Sequence, residues 1–100
     1  MKRPDFVTNE DLDRWSEEIA NDEGMTPELA NQPIVREACY AGLWLCEELD
    51  KLGCPIEIRD RIQFTAGKLA WGRDIWQVHL DMVERYRTDQ LEYEVDLNLN

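Results

Sequence analysis

Apolar residues at helical spacing, separated by glycine and proline stops, restrict this 100-residue chain to short helices. Apolar side chains three and four residues apart are typical of an amphipathic helix, while glycine ends helices and proline often begins them. The pattern predicts helices over residues 9–22, 33–52, 55–72 and 74–88, with a one- or two-turn helix over 27–31. A chain of this length can bury one core. We therefore expect an all-α fold, a small bundle of about four helices forming a single domain over residues 1–90.

Single residues mark several of the helix ends. The Thr8 hydroxyl, followed by acidic residues, is expected to cap the first helix, and Thr26 precedes the short helix in the same way. Asp74 and Gln77 have the spacing of a capping box. Gly24 is expected to end the first helix in a left-handed conformation.

The segment 33–52 is predicted to be the central helix. Tyr40, Leu43 and Trp44 lie off its main apolar stripe, so this helix is apolar on more than one side. It is sandwiched between neighbours, or one side meets another chain, and Trp44 is a candidate for either the core or an interface. Gly42 within the stripe indicates close approach by another backbone, or a tolerated glycine.

Two further patterns concern segments after the central helix. In residues 56–64 the apolar positions, Ile56, Ile58, Ile62 and Phe64, also fit the two-residue period of a strand with one gap at Asp60. This stretch is the internal candidate to pair with the C-terminal tail, although the stops and the later stripe favour a helix. Trp71 and Trp76 flank Gly72 and are expected to pin that turn, whereas Trp15 continues the first helix's stripe and belongs to the core.

The last ten residues alternate without exception between apolar and polar, which is the period of a half-buried strand. The apolar positions of this tail, 91–100, are Leu91, Tyr93, Val95, Leu97 and Leu99. A lone strand leaves backbone groups unpaired along both edges. The tail therefore pairs with a second chain, pairs with a short internal strand, or stays frayed, and we expect a homodimer.

Charge narrows the classes of partner. The chain has 22 acidic and 11 basic residues, a formal net charge of −11, which argues against a nucleic acid or an anionic membrane as its main partner. Residues 10–28 contain eight acids and only Arg14. The candidate partner-binding acids are Glu10, Asp13, Glu17 and Glu18. They form either a solvated face or a binding surface for a basic region of another protein, with carboxylates in place of phosphates.

No catalytic, cofactor or metal motif is found. Cys39, Cys46 and Cys54 lack the paired spacing of zinc ligands and are expected to be reduced, and His79 is expected to be a hydrogen-bonded core or interface residue. The start lacks an apolar run that would indicate a signal peptide, and no stretch is long enough for a membrane span. We expect a cytoplasmic protein. Late basic residues, among them Arg59 and Arg87, could meet the acidic helix of the same molecule or of a second copy.

Two functions remain open on the sequence. The first is a small acidic, non-enzymatic interaction or regulatory protein, which would inhibit a basic nucleic-acid-handling partner by charge mimicry. The second is a structural or adaptor subunit whose C-terminal strand completes a partner's sheet or a homodimer.

Removing the tail tests the predicted self-association. We expect the full chain to be a dimer, and a version ending at Gln90 to be a monomer, because it lacks the unpaired strand. Light scattering on a sizing column gives both masses. Two equal monomeric masses would contradict strand pairing between copies.

Overall fold

The computed structural model describes residues 3–88, which form five helices and no strand. The helices are α1 (Asn9–Ala20), α2 (Pro27–Ala30), α3 (Pro33–Lys51), α4 (Ile56–Ala70) and α5 (Ile75–Arg87). The all-α prediction is confirmed, and the segment around Ile58 and Phe64 is helical. The predicted extended tail, 91–100, lies outside the described residues.

The predicted caps begin three of these helices. The Thr8 hydroxyl accepts a hydrogen bond from the Asp11 N–H, and the Asp11 carboxylate accepts one from the Thr8 N–H, both at 3.1 Å. The Thr26 hydroxyl accepts from the backbone of α2 in the same way. The box predicted at α5 is half formed. Asp74 accepts from the Gln77 N–H, but the Gln77 amide donates to Asp81 instead of returning to the cap.

Glycine ends α3 and α4 but not α1. Gly53 and Gly72 follow these two helices with φ of 79° and 75°, in the left-handed region that favours glycine. The cap predicted at Gly24 is wrong, since α1 ends at Ala20 and Gly24 has no positive φ. The Asn21 N–H still donates to a carbonyl of α1, and the Gly24 N–H donates to the Asp22 carboxylate, so the turn is closed by hydrogen bonds.

Helix α3 packs against all four other helices, as expected for a sandwiched helix. Its Ala41, Leu45 and Leu49 side chains are fully buried. One buried cluster joins α3 to α4 and α5: Leu45, Leu49, Cys54, Ile62, Ala66, Met82 and Val83. The second joins α3 to α1 and α2 and to the meeting point of α4 and α5: Trp15, Ile19, Ala30, Tyr40, Ala41, Ala70, Ile75 and Trp76.

Two expectations about packing need correction. A Cβ on Gly42 would lie 3.1 Å from Gln63 Nε2, so a side chain of α4, and not another backbone, makes the close approach. Trp76 is in the core, but Trp71 is 69% exposed and does not pin the turn at Gly72. The sequence spacing of these two tryptophans did not show that only one points inward.

Shortening Leu45 tests how far the fold depends on α3. Leu45→Ala removes buried methyl groups and leaves a cavity, so we expect the free energy of unfolding to fall by about 2–5 kcal/mol. Urea denaturation followed by circular dichroism measures the change. Glu57→Ala, at an exposed position of α4, is the control and should change stability by about 0.5 kcal/mol or less. Equal effects of the two changes would contradict the central position of α3.

Candidate protein-interaction surface

Three of the four candidate acids on α1 share the side of the helix that faces away from the core. At about 100° per residue, Glu10, Asp13 and Glu17 lie within about 60° of one another, opposite the buried Trp15 and Ile19. Glu18 lies about 80° or more around the helix from each of them, on the flank nearer Trp15. All four acidic side chains are exposed, and we call these four residues the acidic face. The structure therefore brings three of the candidate acids together and places Glu18 at their edge.

Helix α1 is held on α3 by a cross-helix carboxylate. Glu47 accepts hydrogen bonds from Arg14 at 2.8 Å and 3.3 Å and from the Trp15 indole N–H at 2.8 Å. Ser16 and Tyr40 share a further hydrogen bond of 2.9 Å between the two helices. These bonds fix the rotation of α1 about its own axis. The acidic face is consequently held outward by packing and by hydrogen bonds.

No counter-charge within the described part of the chain pairs with the acidic face. Within residues 3–88, none of its four carboxylates makes an ion pair or a side-chain hydrogen bond. The single cation of α1, Arg14, is shared between Asp11 and Glu47. The acidic face therefore keeps its full charge for solvent or for a partner.

The basic residues late in the chain do not neutralise the acidic face. Arg59 pairs with Asp50 and Asp60, at 3.0 Å and 3.1 Å, and Arg87 pairs with Glu84. These contacts lie along α3, α4 and α5, and none of them involves a residue of α1. The expectation that these two cations meet the acidic helix of the same molecule is not met in the described part of the chain.

A second carboxylate of α3 anchors the N-terminal arm. Glu37 accepts two hydrogen bonds from Arg3, at 2.6 Å and 3.0 Å, and one of 2.6 Å from the Trp76 indole N–H. Burial raises the pKa of Glu37, but the bonds from Arg3 and Trp76 and the charge of Arg3 outweigh it and hold the pKa below its usual value. Glu37 is thus an ionised anchor between the arm, α3 and α5.

Trp44 bridges the core and the surface. Its ring lies 5.5 Å from the Phe6 ring and 6.0 Å from the Trp76 ring, between centroids, and it packs against both buried clusters. Its outer part borders two clefts, one of about 350 Å³ that also involves Phe6 and Arg14 and one of about 500 Å³ over α5. The alternatives of core and interface are therefore not exclusive, because Trp44 is half-buried.

The titratable core residue His79 is fixed by its own helix. It is 1% exposed, and its Nδ1 lies 2.8 Å from the Ile75 carbonyl oxygen. Burial lowers the pKa of His79, although the bond to Ile75 opposes that shift. The prediction of a hydrogen-bonded core histidine is confirmed.

Residues 3–88 show no metal-binding cluster and no disulfide. Residues 3–88 contain no cluster of three histidine, cysteine or acidic side chains able to hold a metal ion. The three thiols are unpaired, and burial raises the pKa of Cys46 to about 11, so this thiol is protonated at neutral pH. None of the five helices is long and apolar enough to cross a bilayer.

Sequence reasoning missed the anchors Glu37 and Glu47. Both are acids on a largely apolar helix, and this position was the one sequence feature that could have indicated a structural role. The indole partner of Glu47 is 32 residues away in the chain, and that of Glu37 is 39 residues away. No local sequence pattern indicates pairing over such distances. The candidate tail residues Leu91, Tyr93, Val95, Leu97 and Leu99 lie outside the described residues.

Comparison of the chain with protein-family models, with curated proteins and with solved structures gives no significant match. Function therefore has to be argued from the residues and their arrangement.

Replacing Glu37 tests its role as an ionised anchor. Glu37→Gln removes a charge that three N–H groups stabilise, so we expect the free energy of unfolding at pH 7 to fall by about 1–3 kcal/mol. Because the folded-state pKa of Glu37 is lowered, its contribution is present above about pH 4.3 and is lost as the pH falls further. Urea denaturation at pH 7, 5 and 3 measures the free energy of unfolding of both proteins. The difference between wild type and variant should be smaller at pH 3 than at pH 7.

The exposed Glu10→Gln change is the matched control and should have little effect at any of these pH values. A loss of stability in Glu37→Gln that is the same at pH 7 and pH 3 would contradict the role of its charge.

Proposed function

We propose that this chain is a small, non-enzymatic regulatory protein that binds a basic surface of another protein through the acidic face of α1. The observation that carries the proposal is that the four exposed carboxylates have no ion-pair or side-chain hydrogen-bond partner within residues 3–88. Nearby acids do have such a partner, since Asp11 and Glu47 both form ion pairs with Arg14. The charge left on α1 is therefore the part that a partner can use.

The physics of such binding is charge complementarity on a fixed support. Glu10, Asp13 and Glu17 follow one another along about 10 Å of helix axis. A row of fixed carboxylates can occupy a basic groove in place of phosphates, although duplex DNA carries charge more densely, at about one unit per 1.7 Å. The net charge of −11 accelerates encounter with a cationic partner at low salt. If the partner handles nucleic acid, occupation of its groove is inhibition by charge mimicry.

An apolar element beside α1 supports an interface at this side of the molecule. Phe6 is 52% exposed and stacks on Trp44, next to a cleft that Asp11 and Arg14 also line. Interfaces commonly combine an aromatic anchor with a charged surround, because apolar burial supplies affinity and charge supplies orientation. Phe6 and Trp44 are accordingly the proposed anchors of this interface.

A second candidate function rests on the alternation in residues 91–100. In this alternative the chain is an adaptor whose tail adds a strand to a partner's sheet or to a second copy. Mutations distinguish the two proposed functions. An adaptor loses binding when 91–100 is deleted and keeps it when the acidic face is changed.

Charge reversal on the acidic face tests the first function. Asp13→Lys with Glu17→Lys should abolish retention of the wild-type partners in a pull-down analysed by quantitative mass spectrometry. The matched control reverses two exposed acids that line none of the clefts described above, Glu28→Lys with Glu57→Lys. Both variants have a formal net charge of −7, since each reversal adds two units to −11. The control should retain the same partners.

Salt provides the second criterion. Binding through exposed charges should weaken steeply between 0.1 M and 1 M salt, because the screening length falls from about 10 Å to about 3 Å. Partners that survive high salt, or that both double variants lose equally, would contradict binding through the acidic face.

A further inference from the structure

An apolar groove lies on the other side of α3, away from the acidic face. It has a volume of about 380 Å³ and is lined by α3, α4 and α5. Small residues form much of its two walls, with Ala38 and Gly42 on α3 and Gly67 and Ala70 on α4. A Cβ added to Gly67 would meet no atom within 4 Å, so this wall faces open space. These small residues leave room between the two helices, beside the Gln63 side chain that lies against Gly42.

The buried His79 is one of the residues that line this groove. The Ile75 carbonyl oxygen can only accept, so the His79 Nδ1 must donate the proton in their 2.8 Å hydrogen bond. In the neutral ring Nε2 is then an acceptor. Among the described residues Nε2 has no hydrogen-bond partner, and no polar side-chain atom there is both fully buried and unpartnered. Nε2 therefore retains a little access, and because His79 lines the groove we infer that this access is from the groove.

The remaining lining favours an uncharged, flat occupant. Among residues 3–88, no lysine, arginine, aspartate or glutamate lines the groove. Burial raises the pKa of Cys39, which keeps this wall residue a neutral thiol. Trp71 lies at the mouth with most of its indole surface exposed, and exposed aromatic faces pack well against other rings. Burial also keeps His79 neutral, so its acceptor nitrogen is available near pH 7.

We propose that this groove is a binding site for a small, uncharged aromatic molecule with one N–H or O–H group, which donates to Nε2 of His79. A cavity of about 150 Å³ holds benzene, and pockets for small molecules begin at about 300 Å³, so the groove suits one or two fused rings. The single buried acceptor sets the orientation of the ring system. The site is independent of the acidic face and of the proposed protein partner.

A pair of nearly isosteric probes tests the hydrogen bond in the unaltered full chain. Indole has a ring N–H, whereas benzofuran has an oxygen at the same place and cannot donate. We expect indole to bind in the submillimolar to millimolar range and benzofuran to bind about tenfold more weakly, the effect of one buried hydrogen bond. Titration followed by ¹H–¹⁵N correlation spectra should shift the amides of Gly42, Gly67 and Ala70.

Filling the groove tests its location. Gly67→Leu points a side chain into the open space and should fold, because nothing lies within 4 Å of its Cβ. We expect this variant to lose indole binding. Glu57→Leu adds the same side chain to an exposed position of α4 outside the groove, and it should bind indole as the wild type does.

Three results with the unaltered chain and one with the Gly67→Leu variant would overturn the proposal. The three are equal affinity for indole and benzofuran, shifts that map to the clefts beside Trp44, and no saturable shift at millimolar indole. A Gly67→Leu variant that has a folded spectrum and still binds indole would also overturn it.

Discussion

Helix α3 is apolar on more than one side, and the fold follows from the need to cover it. No single neighbour can bury Ala41, Leu45 and Leu49 together with Tyr40, so α1 and α2 cover one side while α4 and α5 cover the other. Burial of each large apolar side chain contributes about 1.5–3 kcal/mol. The chain therefore resembles a sandwich around one helix. The acidic face, the clefts beside Trp44 and the apolar groove are all formed by or positioned against α3.

Two carboxylates on α3 make that covering specific. Glu37 and Glu47 each accept hydrogen bonds from an arginine and from an indole N–H, so Trp15 and Trp76 are buried with their polar atoms satisfied. An unsatisfied buried donor would cost about 1–3 kcal/mol, which penalises other rotations of the helices. The Glu47 anchor fixes α1 on α3 so that Glu10, Asp13 and Glu17 face outward. A structural requirement inside the molecule thus creates the charged surface that we propose as the interface.

Much of the local structure could be predicted from the sequence. The box at Thr8 and the stops at Gly53 and Gly72 involve residues within a turn of one another, so the sequence pattern contains the whole interaction. The same holds for Glu10, Asp13 and Glu17, which share a side of α1 by helical geometry alone. Predictions failed where a competing contact intervened, as at Gly24, where the turn closes through Asp22. The orientation of Trp71 also escaped prediction, because a residue beside a turn can point either way.

By itself the sequence determined the helices, their caps, the central position of α3 and the excess of negative charge. Each of these depends on spacing or composition, which can be read directly from the chain. Only the tertiary structure decided which carboxylates are anchors and which are free, how Trp44 is shared between core and surface, and that His79 borders a groove. These features join residues from different helices. Their pairing depends on how whole helices pack, and the periodicity of one helix contains no record of the side chains that its neighbour presents.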